Sequence, residues 1–130
     1  MVEKRRDKEV AAVSVLPREK RLRHFIRVVA DFEQVWGIDD GGWVLAGTPE
    51  SKQVFNVWPF RDYAELYCQG EWAGCSPKAI GLDEFMESYL PDFDEKSILL
   101  GVFYTREDNG ALLNANELRA LLQAEVDEWY

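Results

Sequence analysis

Apolar residues along this 130-residue chain change their spacing several times, and each change marks an element. Leu22, Phe25, Ile26, Val29 and Phe32 recur at i, i+3, i+4, i+7 and i+10. They draw one stripe on a helix that starts after Pro17, a residue suited to a first turn, where its missing N–H is not needed. Residues 1–13 show neither period, so a flexible tail is expected there and a single domain over 14–130. A strand over 33–38 closes on Asp39-Asp40-Gly41-Gly42, whose glycines suit a tight turn. Strands over 43–47 and 53–58 follow, the last ended by Pro59, and the three read as an antiparallel meander.

Beyond Pro59 the helical period returns in Phe60, Tyr63, Ala64 and Tyr67 or Cys68, and Gly70 ends it. Residues 77–81 predict a brief fourth strand with Ile80 buried. Leu82, Phe85, Met86, Tyr89 and Leu90 then mark an amphipathic helix that Pro91 is expected to stop. The stretch 97–104 is apolar nearly throughout, as a central strand covered on both faces would be. After a turn at 107–110, Asn114 and Glu117 form a capping-box pattern ahead of a last helix striped by Leu118, Leu121, Leu122, Val126 and Trp129. The order α-β-β-β-α-β-α-β-α predicts an α+β fold, one mixed and mainly antiparallel sheet of about five strands with helices packed on it.

Two cysteines, Cys68 and Cys75, are too few for the disulfide framework of a small secreted module, and no apolar run approaches the roughly 20 residues of a membrane span. A cytoplasmic protein of bacterial type, without membrane contact, is expected. The net charge of −9 is unevenly spread: residues 1–27 carry +5 and residues 28–130 carry −14. An acidic body repels nucleic acid, whose binding needs cations that displace counterions. Lys4, Arg5, Arg6 and Lys8 read as a solvated tail, and Arg18, Lys20, Arg21, Arg23 and Arg27 as the wet side of the first helix.

The words Val35-Trp36-Gly37-Ile38, Gly42-Trp43, Val57-Trp58-Pro59 with Ala64, then Trp72, Ile80-Gly81-Leu82-Asp83-Glu84-Phe85 and Tyr89-Leu90-Pro91 follow one another in an order that resembles the uncharacterised bacterial family DUF2750 over roughly residues 20–122. At the last strand this chain has Tyr104-Thr105 where that family commonly has a Pro. The resemblance implies a small cytosolic α+β protein and carries over no activity and no catalytic residues.

The residues themselves offer little chemistry. Zinc would draw on Cys68, Cys75 and the single His24, which are too few and too far apart, and one Cys–His pairing is weak evidence for a nucleophile. The serines lack a Gly-x-Ser-x-Gly setting and the glycines lack phosphate-loop spacing. Asp39, Asp40, Asp92, Asp94 and Glu95 read as turn and helix-end residues rather than a calcium loop. No metal, cofactor or catalytic residue is assigned. The aromatics remain as the signal: Trp36, Trp58, Tyr63 and Trp72, beside Asp62, Glu65 and Glu71, predict an acidic, aromatic-bearing surface for a basic protein partner. An immunity-like inhibitor of a cationic toxin is one version of this non-enzymatic reading. The alternative is a small enzyme or ligand-binding domain with a pocket near Asp62, Tyr63 and Trp72. Homodimerisation through an open sheet edge is compatible with either.

Overall fold

The computed structural model describes the backbone of residues 2–130 and the side chains of residues 7–70 and 72–130. The fold is α+β. Helices α1 (Val2–Ser14) and α2 (Arg18–Phe32) lead into strands β1 (Gln34–Asp39), β2 (Leu45–Gly47) and β3 (Gln53–Val57). Helix α3 (Arg61–Tyr67), a 3₁₀ turn at Gly70–Trp72 and β4 (Ser76–Gly81) follow. The chain continues through α4 (Leu82–Glu84), a π-helical turn at Phe85–Tyr89, α5 (Leu90–Lys96), β5 (Leu99–Val102), β6 (Ala111–Leu113) and α6 (Ala115–Trp129).

The strands form two sheets rather than one. Four run in the order β2-β3-β5-β6, with β3 and β5 parallel, and β1 pairs antiparallel with β4 over its full length, Val35 opposite Ile80. Single bridges tie β1 to the larger sheet: Trp36 and Trp58 exchange backbone hydrogen bonds of 3.0 and 2.8 Å, and Asp39 bridges Trp43. The expected meander therefore survives only as β2 against β3. Its first hairpin opens after one bridge, because Gly41 and Gly42 take φ of 71° and 153° and carry the chain away from the ladder. Trp43 then folds back over Gly37, where a Cβ would stand 3.0 Å from its ring.

Three further expectations change. Helix α1 occupies the stretch read as a tail, and Val10 and Val13, one helical turn apart, reach the core. Two anchors are too few to register as a period. Met1 and the side chains of Lys4, Arg5 and Arg6 lie outside the described residues. Pro91 does not stop its helix. It enters the first turn of α5 directly after the π-helical turn, whose wider backbone accommodates a ring that would strike the preceding turn of a regular helix, and the helix runs on to Lys96. Strand β6 pairs with β5, Leu100 opposite Leu113, in a segment too short to show alternation.

The core lies between the larger sheet and α2, the 82–96 helix and α6. Phe25, Val29, Phe55, Val57, Phe85, Leu100, Leu118 and Leu122 are fully buried in it. At the sheet centre Asn56 is buried opposite Gly101, and a Cβ at Gly101 would run into the Asn56 amide, so a larger residue there would force the Asn56 side chain to move.

Arg21, expected on the wet side of α2, is 1% exposed. Its guanidinium donates to the carbonyls of Phe103 (3.1 Å), Leu16 (2.6 Å) and Asn109 (2.8 Å) and meets the Asp108 carboxylate at 3.2 Å. The charge is thus taken out of water with its donors engaged, the condition under which a buried cation is tolerated. It pins both ends of the loop 103–109, which opens on Phe103 in the left-handed region at φ 61°, an arrangement a bulky residue holds only when its surroundings enforce it. Trp58 adds to the restraint by donating its Nε1–H to the Tyr104 carbonyl at 2.8 Å. Replacing Arg21 by Leu strands these carbonyls, and urea denaturation is expected to show a loss of about 3 kcal/mol. Asp108→Asn, at a half-exposed partner, is expected to cost less than about 1 kcal/mol. Equal losses in the two variants would contradict this ranking.

Candidate functional site

The aromatic residues expected at a partner surface are divided by the fold. Trp58 and Tyr63 are core residues: Trp58 stacks on Tyr67 with centroids 5.1 Å apart, and Tyr63 meets Phe103 edge-on at 4.6 Å. Their rings are spent on packing, which corrects their assignment as contact residues. Trp36 and Trp72 are half-buried against the same core, Trp72 lying 6.0 Å from Tyr67. On α3, Glu65 is exposed and within 3.9 Å of Arg61. The side chain of Glu71 lies outside the described residues.

Nor do Asp62, Tyr63 and Trp72 converge on one pocket. Asp62 lines a shallow groove of about 400 Å³ against α1, with Asp7 and Val10. Tyr63 lines a hollow of about 420 Å³ beside Phe103 and Tyr104, and Trp72 a neighbouring one of about 440 Å³ with Tyr67 and Asn109. Where the last two adjoin, Arg106 donates to the Gln69 side-chain oxygen at 3.0 Å, so their nearest polar groups satisfy each other.

The groups weighed for chemistry are in unfavourable settings. Burial pushes both thiols above their ordinary values; Cys75 and Glu65 add to this at Cys68, and Asp40 and Asp39 at Cys75. Thiolates, the reactive form, are disfavoured at both positions. Among the described residues no three His, Cys, Asp or Glu side chains are placed to hold a metal ion. His24 sits between Tyr63 and Phe103, each 6.3 Å away, and its Nε2 has no hydrogen-bond partner among the described residues.

Exposed aromatics gather elsewhere, at the C-terminal ends of α2 and α6. Phe32 is 56% exposed, Trp129 66% and Tyr130 70%. Phe32 was expected in the core stripe, but Phe25, Ile26, Val29 and Ala30 complete that face, and Phe32 instead leans edge-on against Phe60 at 4.9 Å. Trp129 keeps the helical phase of Leu118 and Leu122 but stands in the last turn of α6, where the core no longer covers it. Periodicity alone carries no signal for either exposure, because it reports the phase of a side chain and not where the opposing layer ends.

Beside Tyr130 a notch of about 330 Å³ runs between the end of α2, the start of α4 and one flank of α6. Leu82 and Met86 form its buried floor, and Asp31, Glu33, Asp83 and Glu87 line it against a single cation among the described residues, Arg119. Among the described residues none of these four carboxylates has a basic group within ion-pair distance. Glu33 closes α2 in the left-handed region and its carbonyl accepts from the Leu82 N–H at 2.9 Å, which fixes the notch's back wall. Tyr130 donates its hydroxyl to Asp31 Oδ1 at 2.8 Å. That hydrogen bond, followed by slight desolvation and the charges of Asp31, Glu125 and Glu33, pushes the phenol above its ordinary value.

Two titrations follow. Asp31→Asn is expected to move the Tyr130 phenol down toward its ordinary value in an NMR titration, and an unmoved phenol would show that the notch exerts no such field. Burial, aided by Arg27 and opposed by Glu9, holds the His24 imidazole below its ordinary value, so the unfolded chain takes up this proton first as pH falls. Stability is then lost from about pH 6.5 down to the lower folded-state value. His24→Gln should flatten that part of the melting-temperature profile; an unchanged slope would exclude the imidazole as its source.

No curated protein matches the chain. A family described as "Protein of unknown function (DUF2750)" matches residues 22–122, which include most of α2, both sheets and the first half of α6. The chain belongs to the DUF2750 family.

Proposed function

We propose that the protein is a cytoplasmic, non-enzymatic binding module, and that the acidic notch at the ends of α2 and α6 engages a basic protein. One observation carries the reading: four carboxylates that have no basic partner among the described residues line an apolar-floored notch that the exposed Tyr130 also lines. Carboxylates without a basic partner among the described residues are available to a cationic patch, and their field speeds encounter. The exposed Tyr130 ring, with the apolar floor, supplies area that is dehydrated on docking. The charge of −14 over residues 28–130 supports the same partner chemistry at longer range. An inhibitor that covers the cationic surface of a toxin is one form such a module takes.

The test begins with the full chain as bait in a lysate of its source cell at low ionic strength, followed by purification of the captured protein. The partner is expected to be basic, to associate at least about tenfold more slowly in high salt, and to bind at least about tenfold more weakly to Tyr130→Ala. Asp83→Asn with Glu87→Gln should slow association without changing the melting temperature. A partner indifferent to both salt and these three positions would overturn the assignment.

A further inference from the structure

The other flank of α6 is built differently. Helices α2 and α6 run side by side with the same polarity: Arg18 at the start of α2 donates to Asn109, just ahead of β6 and α6, and at the far end Tyr130 reaches Asp31. Between them lies a trough of about 560 Å³. Leu22 and Ile26 of α2 form its floor, and Leu121 (41% exposed) and Trp129 rise from α6 at its rim. The α2 wall carries Arg23 and Arg27, and the α6 wall carries Glu125 and Glu128. Glu19 is the one acidic residue on the α2 wall. Although opposite in sign, the two walls do not close on each other: among the described residues, none of these four charged side chains makes an ion pair.

We propose that this trough binds a second copy of the chain, forming a two-fold symmetric dimer. A two-fold axis laid along the trough exchanges its left and right walls and preserves height along the helices. Arg23 and Arg27 of one copy then face Glu125 and Glu128 of the other, on both sides of an apolar strip formed by the two floors and the two Trp129 rings. The perpendicular two-fold axis in the same plane would set arginine against arginine, so charge selects a single orientation. This is the self-complementarity that an isologous interface requires, with an apolar centre and a charged rim. The expected sheet-edge route has little backbone to use at the larger sheet, since its outer strands β2 and β6 have three residues each. The dimer uses a flank of α6 separate from the acidic notch, so either assignment can fail without the other.

Sedimentation velocity over a concentration series, with the full chain at low salt, is expected to show a monomer–dimer equilibrium that Trp129→Ala weakens at least about tenfold. Arg23→Glu with Arg27→Glu, and separately Glu125→Lys with Glu128→Lys, should each give a folded monomer, with circular dichroism melts checking the fold. Mixing the two variants should restore a dimer containing one copy of each, because every facing pair is again opposite in sign. A wild-type chain that stays monomeric throughout, leaving the trough to a helix of another protein, would overturn the proposal. So would a dimer that survives both reversals, or a mixture that stays monomeric. Asp83→Asn with Glu87→Gln, on the opposite flank, should leave the dimer constant unchanged.

Discussion

The burial of the Arg21 guanidinium is the constraint on which the rest of the architecture depends. A charge removed from water is tolerated only when its donors are satisfied, and here three backbone carbonyls and one carboxylate do so from segments far apart in sequence. The interaction joins the entry to α2, the end of β5 and the loop leading into β6. It also holds Phe103 at a left-handed φ, and Phe103 in turn orients Tyr63 and the adjoining face of His24. Loosening the clamp would disturb the α3 side of the protein before it disturbed the notch.

The surfaces proposed for binding lie, by contrast, where the core ends. At the tips of α2 and α6 the helices outrun the layer beneath them, and aromatic side chains that are in phase with the core emerge uncovered. Helix α6 thereby presents two surfaces: Arg119, Gln123, Val126 and Tyr130 face an acidic notch, and Leu121, Glu125, Glu128 and Trp129 face α2 across a trough. Trp129 and Tyr130 lie beyond the segment matched by the family, and Arg21 lies just before it. The family match thus describes the two-sheet scaffold, while the aromatic end of α6 is read from this chain alone.

Much of the fold was legible in the spacing of apolar residues. The α2 helix, β3, the apolar β5 and the capping box of α6 all follow from periodicity and local hydrogen-bond chemistry, and the box is formed by reciprocal Asn114 and Glu117 contacts of 2.8 and 2.9 Å. What escaped was set by tertiary context. Arg21 reads as a solvated cation because three of its four acceptors lie more than 80 residues away. The pairing of β1 with β4 was hidden by a glycine turn that suggested a local hairpin, and the continuation past Pro91 by a π-helical turn that no pattern of side chains announces. The predicted contact aromatics Trp58 and Tyr63 were misplaced for a related reason: composition counts rings but does not say which of them the sheet covers.

The parallel pairing of β3 with β5 bears on how the chain is made. These neighbours are joined across 41 intervening residues, 58–98, including α3, β4 and the helix through Lys96, so the centre of the larger sheet cannot zip up from a local turn. Until β5 leaves the ribosome, β3 can hydrogen-bond only to β2, and its other edge, with the apolar Val54, Phe55 and Val57, waits open. Closing such a long loop before any reward from the contact slows assembly. During synthesis this chain therefore passes through a nascent form in which one side of β3 stays unpaired until its distant neighbour arrives.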